Sequence, residues 1–104
     1  MMAQYDIYLN PGKRAQEVPF LVSIQNDHIS SRTGATVVVP LRRGWAPIET
    51  LAPLVGVETY GDFVLSTDEL FAIDTSQLKK RISSLSLEDR LKVRPALDKV
   101  FGDY

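Results

Sequence analysis

Residues 20–41, FLVSIQNDHISSRTGATVVVPL, decide the fold because two apolar runs flank a polar segment that contains a glycine. The first run is rich in aromatic and branched side chains, which favour strands, and it gives way to turn residues after Gln25. The second run, Thr36 to Val39, closes on Pro40. Proline has no N–H to donate to a ladder, so it predicts a strand end or a sheet edge. The stretch therefore predicts two strands joined by a loop.

An amino-terminal strand is predicted ahead of this stretch. Tyr5, Ile7 and Leu9 alternate with polar or amphipathic neighbours, a period of two that is typical of a strand with one buried face. The polar segment 13–17 predicts a loop that returns the chain to Phe20. The first two strands are therefore expected to pair antiparallel.

The segment after Pro40 predicts a connection followed by short strands. Residues 41–53 contain a Trp and two prolines, which favours a connection with at most a short helical turn over residues 48–51. Three β-rich runs follow, at residues 54–59, 63–66 and 71–75. Residues 60–62, Tyr-Gly-Asp, predict a hairpin turn between the first two.

The last third of the sequence changes to a helical period. Ser86 precedes two acidic residues and predicts a helix N-cap, and apolar side chains recur at residues 97, 100, 101 and 104. Pro95 lies inside this pattern, so a kink or a break is expected near Arg94. The whole pattern predicts a mainly β chain, a small antiparallel barrel or curved sheet, with a C-terminal α-helix over it.

Composition limits the function classes. The chain has 104 residues, 44% of them hydrophobic, which predicts a single domain over residues 1–104 with a modest core. A domain of this size buries about 65% of its unfolded surface, so a dimer would add useful burial. The sequence has no Cys, which excludes disulfides, thiolate zinc sites and a Cys nucleophile. Apolar runs are too short for a membrane span and no leader pattern is present, so we expect a soluble, cytoplasmic protein.

Cofactor and nucleic-acid binding find little support in the residues. His28 is the only imidazole, which makes a metal site unfavourable, and no glycine pattern for phosphate binding occurs. We expect neither a metal nor a cofactor. A formal net charge of −1 gives no overall electrostatic case for nucleic-acid binding.

Local basic groups allow two interpretations. They are Lys13 with Arg14, Arg42 with Arg43, and residues 79–81. A solvated surface of mixed charge explains each of them, and so does a docking site for an acidic, disordered partner segment. Trp45, between glycine and proline, is either an exposed anchor for that partner or a lid over the core.

The order of these motifs resembles the CcdB family of plasmid and chromosomal toxins. The similar segments are Gln4-Tyr5-x-Ile7-Tyr8, Ile24-Gln25-Asn26-Asp27-x-Ile29, Val37-Val38-Val39-Pro40-Leu41, Leu54-Val55-x-Val57 followed by Thr67-Asp68, Leu85-Ser86, and residues 96–101. The resemblance implies an SH3-like antiparallel β-barrel shared with the MazF and Kid toxins. It also implies a homodimer whose terminal helices lie close together, neutralised by a CcdA-like antitoxin. Members of the family poison DNA gyrase by binding its A subunit and trapping the cleaved DNA complex, and they are not enzymes.

The same resemblance implies the residues that bind the target. These are the C-terminal tail, residues of the first strand and residues of the loop after the Gln-x-Asp motif: Gln4, Tyr5, Tyr8, Asn26, His28, Ile29, Asp98, Phe101, Gly102, Asp103 and Tyr104. The antitoxin is expected to contact Lys13, Arg14, Arg42, Arg43 and Trp45.

The C-terminal tail departs from the family pattern, which ends Trp-Gly-Ile. This chain ends Phe101-Gly102-Asp103-Tyr104, so Trp is missing in any alignment. Loss of a buried Trp anchor commonly costs more than about 2 kcal/mol of binding free energy. Tyr104 offers a replacement ring, and Phe101 is either a target contact or part of the helix's core face.

Two other functions remain open at this point. A MazF- or Kid-like endoribonuclease would use Arg32 and Thr33 with His28 and Asp27, because an arginine can stabilise the phosphorane while a second group moves the proton. A CcdB homologue without toxicity would retain only dimer formation and antitoxin binding.

Overall fold

The protein is described by a computed structural model that covers residues 3–26 and 32–102. Its strands are β1 (Asp6–Leu9), β2 (Phe20–Ser23), β3 (Ala35–Arg42), β4 (Leu54–Val57), β5 (Gly61–Leu65), β6 (Phe71–Asp74) and β7 (Arg81–Ser84), and its C-terminal α-helix is α1 (Leu87–Phe101). Arg32 and Thr33 also have helical backbone. Two 3₁₀ turns, Thr67–Glu69 and Thr75–Gln77, flank β6. The predicted class, mainly β with a C-terminal helix, is confirmed.

All strand pairs are antiparallel and form a curved sheet, a half-barrel. The order is β4-β5-β3-β2-β1-β7, and β6 pairs with β3 outside this path. The long strand β3 is central because it pairs with β2 on one side and with β6 and then β5 on the other. The predicted β1–β2 antiparallel pair is also present.

Alternation along the strands sends side chains to two apolar clusters, one on each face of the sheet. The larger cluster contains Phe20, Val22, Val39 and Leu41, and α1 packs on it through Val93. The smaller cluster, on the other face, contains Tyr8, Val18, Leu21, Val38 and Leu78. The interior of the protein is therefore divided by β2 and β3, which contribute to both clusters.

Pro40 does not end a strand, contrary to the sequence prediction. β3 continues through it to Arg42. Pro40 lies between the residues that pair with β6 and those that pair with β5, and its carbonyl accepts a hydrogen bond from Ser66 N–H at 3.0 Å. The Pro40 nitrogen faces the same side as this carbonyl, where the pairing of β3 changes from β6 to β5. The missing N–H therefore costs no hydrogen bond within the sheet.

Three other local features complete the comparison with the sequence prediction, and one of them is a correction. The hairpin turn lies at residues 58–60 rather than 60–62, because Val57 pairs with Gly61 and the left-handed Thr59 (φ 69°) turns the chain. Residues 41–53 were expected to hold at most a short helical turn over residues 48–51; there Ile48 and Ala52 instead close a tight loop by mutual backbone hydrogen bonds. The strand β7, which pairs with β1, was not predicted.

A kink or a break was expected near Arg94; the helix α1 is uninterrupted at Pro95, so the predicted break is wrong. Pro95 is exposed, so water can satisfy the carbonyl that lacks its usual donor one turn earlier. The predicted N-cap is confirmed, since Ser86 Oγ accepts from Asp89 N–H at 3.1 Å. No helix within the described ranges is long and apolar enough to cross a bilayer.

Side chains of α1 hold the outer edge of β4. Asp89 Oδ2 accepts from Gly56 N–H at 2.8 Å, and Lys92 Nζ donates to the Leu54 carbonyl at 2.9 Å. Asp89 and Lys92 also form an ion pair at 2.8 Å. Burial of the Asp89 carboxylate opposes its ionisation, but hydrogen bonds from Lys92 and Gly56 N–H outweigh that effect and lower its pKa. The helix is thereby fixed to the sheet at its first turn.

Asp89→Ala is expected to lower the free energy of unfolding by about 1–2 kcal/mol at neutral pH, because Gly56 N–H loses its acceptor. A lowered folded-state pKa stabilises the fold above the unfolded value of about 3.9 and stops doing so as pH falls through the folded value. The deficit should therefore shrink at about pH 3 in urea denaturation. Glu88→Ala, which removes an exposed carboxylate of the same turn, is the control. Equal unfolding free energies for the two variants would contradict this role of Asp89.

Candidate functional site

The carboxyl-terminal end of α1 presents an exposed aromatic ring. Asp98, Phe101 and Gly102 form what we call the tail surface, and Phe101 is 72% exposed. Gly102 ends the helix with φ 76°, and its N–H donates to the Asp98 carbonyl at 3.0 Å. A left-handed residue after a helix favours glycine because it has no Cβ. Asp103 and Tyr104 lie outside the described residues.

The body of α1 is packed against the sheet and so fixes the backbone that carries this ring. Val93 and Ala96 are buried and Leu97 is half-buried against the larger core cluster. The interpretation of Phe101 as a core residue is therefore wrong. Its ring stands in solvent at the end of a packed helix, which is a geometry suited to contact with another molecule.

Among the described residues that were predicted for the first strand and the following loop, one packs on the same core cluster. Gln4 Nε2 donates to the Ile24 carbonyl at 2.9 Å, and Tyr5, Ile24 and Leu97 all pack on the larger cluster. Asn26 is exposed just beyond β2. Of these residues, Tyr5 packs on the core that also carries α1, Gln4 bonds to the backbone of Ile24, and Asn26 stands in solvent.

The remaining predicted target contacts divide into one buried residue and two that lie outside the described part of the chain. Tyr8 is 5% exposed and belongs to the smaller cluster on the other face of the sheet. The structure does not bring it to the tail surface. His28 and Ile29 fall in the segment 27–31, outside the described residues.

A second candidate surface is a cavity of about 460 Å³, which we call the basic cavity. Its charged and apolar walls include Lys13, Arg14, Arg42, Glu69, Phe71 and Ile73, with Leu21 and Pro40 from β2 and β3. The β1–β2 loop forms one side of the cavity and β6 the other. Asn10 holds the loop, since its side chain donates to the Val18 carbonyl at 2.8 Å and accepts from Gly12 N–H at 2.9 Å.

Arg42 is a buried cation in the wall of this cavity. Its guanidinium binds the Glu69 carboxylate through two hydrogen bonds of 2.5 and 2.7 Å, and Glu17 lies 3.8 Å away. The hydrogen bond from Arg42 lowers the pKa of Glu69, and the same bond raises the pKa of Arg42. The Arg42 side chain is only 4% exposed. Arg42 therefore positions the cavity wall and is not itself available to an acidic partner.

Glu69→Gln should lower the free energy of unfolding by about 1–2 kcal/mol at neutral pH, because a charge-assisted pair becomes a neutral one. Since its folded-state pKa is lowered, Glu69 stabilises the fold above the unfolded value of about 4.3, and this contribution disappears as pH falls through the folded value. Acid-induced unfolding of the variant should therefore depend less on pH. Glu17→Gln, at the exposed carboxylate beside Arg42, is expected to change stability by less than about 0.5 kcal/mol. An effect of Glu17→Gln as large as that of Glu69→Gln would contradict the assignment.

Trp45 and Arg43 extend the surface beside the cavity. The Arg42 guanidinium lies 3.9 Å from the centre of the Trp45 ring, and Trp45 is 54% exposed. Trp45 therefore does not close over the core as a buried lid. Arg43 is exposed and its guanidinium lies 5.7 Å from the Phe63 ring, so the structure does not bring it into the cavity wall.

The residues of the ribonuclease hypothesis are only partly described. Arg32 and Thr33 are exposed. The Thr33 hydroxyl donates to the Ala35 carbonyl at 3.1 Å and accepts from Ala35 N–H at 3.3 Å, which is local turn geometry. Asp27 and His28 lie outside the described residues. Among those that are described, no group of three or more carboxylate or imidazole side chains is arranged to hold a metal ion.

Sequence reasoning missed Glu69 and Phe71, which complete the basic cavity. Glu69 is 27 positions from Arg42 in the sequence, and no local pattern predicts the ion pair between them. Phe71 is part of a predicted strand, but its place in the cavity wall depends on the pairing of β6 with β3. The positions of Glu69 and Phe71 in the cavity wall can be inferred only after β3 and β6 are known to pair.

Comparisons with known proteins place this fold among toxins. The chain aligns with the mycobacterial "Endoribonuclease in complex with its cognate antitoxin" at TM-score 0.81 and 15% identity, covering 98% of this chain and 96% of that one. It aligns with MazF (Form-I) from Deinococcus radiodurans at TM-score 0.74 and 15% identity, covering 99% and 97% of the chains. It aligns with MazE-MazF (Form-I) from the same organism at TM-score 0.72 and 14% identity, covering 99% and 97%. Identities this low show a shared fold alone.

A search of curated proteins found no match. The family model described as CcdB protein matches residues 4–102, nearly the whole chain. The order of motifs from the first strand to the end of α1 had predicted the same family. With the half-barrel and its C-terminal helix, this match shows that the chain belongs to the CcdB family of toxins from toxin–antitoxin systems.

Proposed function

We propose that this protein is a toxin that binds the A subunit of DNA gyrase through the tail surface and traps the cleaved DNA complex. The observation that carries the proposal is the exposed Phe101 ring on a helix end that is packed against the core. A large apolar side chain in solvent on a fixed support is a typical binding anchor, because little entropy is lost when it is covered. The proposed act is binding, so the chain needs no catalytic residue for it.

The other proposed target contacts are Gln4, Tyr5 and Asn26, with Asp98 on the helix. Gln4 and Tyr5 are held at the start of β1 by bonds to the end of β2. His28, Ile29, Asp103 and Tyr104 belong to the proposal on the family resemblance only. Tyr8 is assigned a supporting role, because its ring is buried.

We further propose a homodimer and a CcdA-like antitoxin that covers the basic cavity. Because Arg42 is neutralised by Glu69, the exposed cations of the cavity wall are Lys13 and Arg14, and Arg14 also lies 3.4 Å from the exposed Glu17 carboxylate. Such a wall favours a partner segment with acidic residues, and disordered segments gain affinity by ordering on a folded surface. A mycobacterial endoribonuclease of this fold was solved in complex with its cognate antitoxin, which supports an antitoxin partner. The proposed target places the protein in the cytoplasm.

Titration calorimetry with the purified gyrase A subunit tests the proposal. We expect the full chain to bind and a chain ending at Val100 to remain folded and dimeric while losing binding. Unchanged binding after this truncation would refute the tail surface as the binding site. Absence of binding by the full, folded chain would refute gyrase as the target.

A further inference from the structure

Three strands have an edge that no other strand covers within the described ranges. β4 and β7 lie at the two ends of the sheet, and β6 pairs only with β3. Uncovered edges present backbone N–H and C=O groups that can pair with another chain, and proteins commonly protect them. The protection of the three edges differs.

Two of these edges are protected. Asp89 accepts from Gly56 N–H and Lys92 donates to the Leu54 carbonyl, so α1 satisfies the outer edge of β4. β7 is irregular, because its register against β1 shifts between Ile7 and Tyr8, and it begins directly after two lysines. Bulges and neighbouring lysines both discourage strand addition.

β6 has neither form of protection. Its register with β3 is regular over all four residues, and its sequence, Phe-Ala-Ile-Asp, contains no Pro or Lys. The Val37 carbonyl accepts a hydrogen bond from Ile24 N–H, so the backbone groups of Val37 point toward β2. Successive residues of an antiparallel strand alternate in this direction, and the residues on either side of Val37 therefore point their backbone groups toward β6. Their partners in β6 are Ile73 and Phe71. The N–H and C=O of Ala72 therefore point away from β3, toward the open edge.

Side chains beside this edge define the segment that fits it. Phe71 is 41% exposed and Ile73 is half-buried, and both line the basic cavity together with Lys13 and Arg14. A strand laid along β6 would put alternate side chains next to Phe71 and Ile73. Acidic residues in the added strand would be favoured, because Arg42 is paired with Glu69 and the exposed charges that remain in the cavity wall are Lys13 and Arg14. A second copy of this chain would bring the same cations together.

We propose that β6 accepts an extended acidic segment as an additional strand, with apolar side chains against Phe71 and Ile73 and carboxylates toward Lys13 and Arg14. The inference rests on the proposed antitoxin partner and specifies how that partner binds. Main-chain pairing supplies affinity in this mode of recognition, and alternate side chains supply specificity.

Amide hydrogen exchange on the full chain tests the proposal, with a short synthetic peptide in which glutamate and leucine alternate as the probe. We expect the peptide to slow exchange of Ala72 N–H, and a peptide with lysine in place of glutamate to have no effect. Methylation of alternate peptide nitrogens should weaken binding at least about fivefold, because it removes main-chain donors without changing the protein. Protection elsewhere but not at Ala72 would overturn the proposal.

A pair of variants adds an independent test. Ala72→Pro removes the outward N–H and leaves the ladder with β3 intact, so peptide affinity should fall at least about fivefold, while Ala72→Thr should retain it. Concentration-dependent protection of Ala72 without peptide would assign the edge to a second copy and overturn the proposal. If the cognate antitoxin binds Ala72→Pro as tightly as wild type, the strand addition is wrong and the antitoxin proposal stands. If the antitoxin fails to bind the wild-type protein, the proposal that an antitoxin covers the basic cavity is itself wrong.

Discussion

Phe101→Ala is expected to abolish most of the trapping of cleaved DNA by gyrase while the protein stays folded. The side chain is 72% exposed, so its removal leaves no cavity and should change the free energy of unfolding by less than about 0.5 kcal/mol. If the ring is the anchor of the interface, its loss should cost about 2 kcal/mol of binding free energy, or roughly thirtyfold in affinity. Titration with the gyrase A subunit and quantification of linear plasmid DNA measure the two effects.

The chain offers a matched control for this variant. Leu91 lies on the same helix and is 78% exposed, but it is outside the tail surface. Leu91→Ala should therefore leave both binding and DNA trapping unchanged. If the two variants lose activity equally, the effect comes from the helix as a whole and the assignment of Phe101 fails.

Arg42→Met is expected to be the most destabilising of the substitutions considered. It removes a buried cation, leaves the Glu69 carboxylate without its two hydrogen bonds and takes away the Trp45 stacking partner. Breaking a fully buried pair costs about 3–5 kcal/mol, and because the Glu69 side chain is 34% exposed we expect about 2–3 kcal/mol. Urea denaturation of the single variants and of the double variant with Glu69→Gln measures this cost.

The double variant separates loss of packing from the isolated charge. If the carboxylate left in the Arg42→Met protein is the main cost, adding Glu69→Gln should restore stability by about 1 kcal/mol, a clear departure from additivity. The deficit of Arg42→Met should also be smaller at about pH 3, where the carboxylate is protonated. Strictly additive effects and no dependence on pH would show that packing alone explains the loss.

The parts of the fold that follow from local periodicity were predictable from the sequence. β1, β2 and the body of β3 alternate or are apolar, and α1 begins at a good N-cap. β7 has the sequence Arg-Ile-Ser-Ser, which contains no apolar pattern, and it is a strand because β1 provides its partner. Pro40 was misread for a related reason. A proline is compatible with a central strand when the ladder changes partner at that residue, and this depends on tertiary pairing.

The candidate site shows the same division. Family resemblance supplied the residues of the tail surface, and clusters of basic residues in the sequence supplied Lys13, Arg14 and Arg42 of the basic cavity. Neither could distinguish accessible residues from buried ones. Arg42 was expected to contact the antitoxin and is instead buried against Glu69. Phe101 was compatible with either a core position or a target contact, and it is exposed. Burial of a charge depends on a partner distant in sequence, and no local pattern records that partner.

Purified protein mixed with its host's DNA gyrase, supercoiled plasmid and ATP tests the central claim most directly. Linear DNA is scored after detergent and protease, with an RNA substrate in a parallel reaction. We expect linear DNA to accumulate with the wild-type chain and RNA to remain intact. Absence of linear DNA at concentrations where the protein is folded, or cleavage of the RNA, would contradict the assignment of this chain as a gyrase poison.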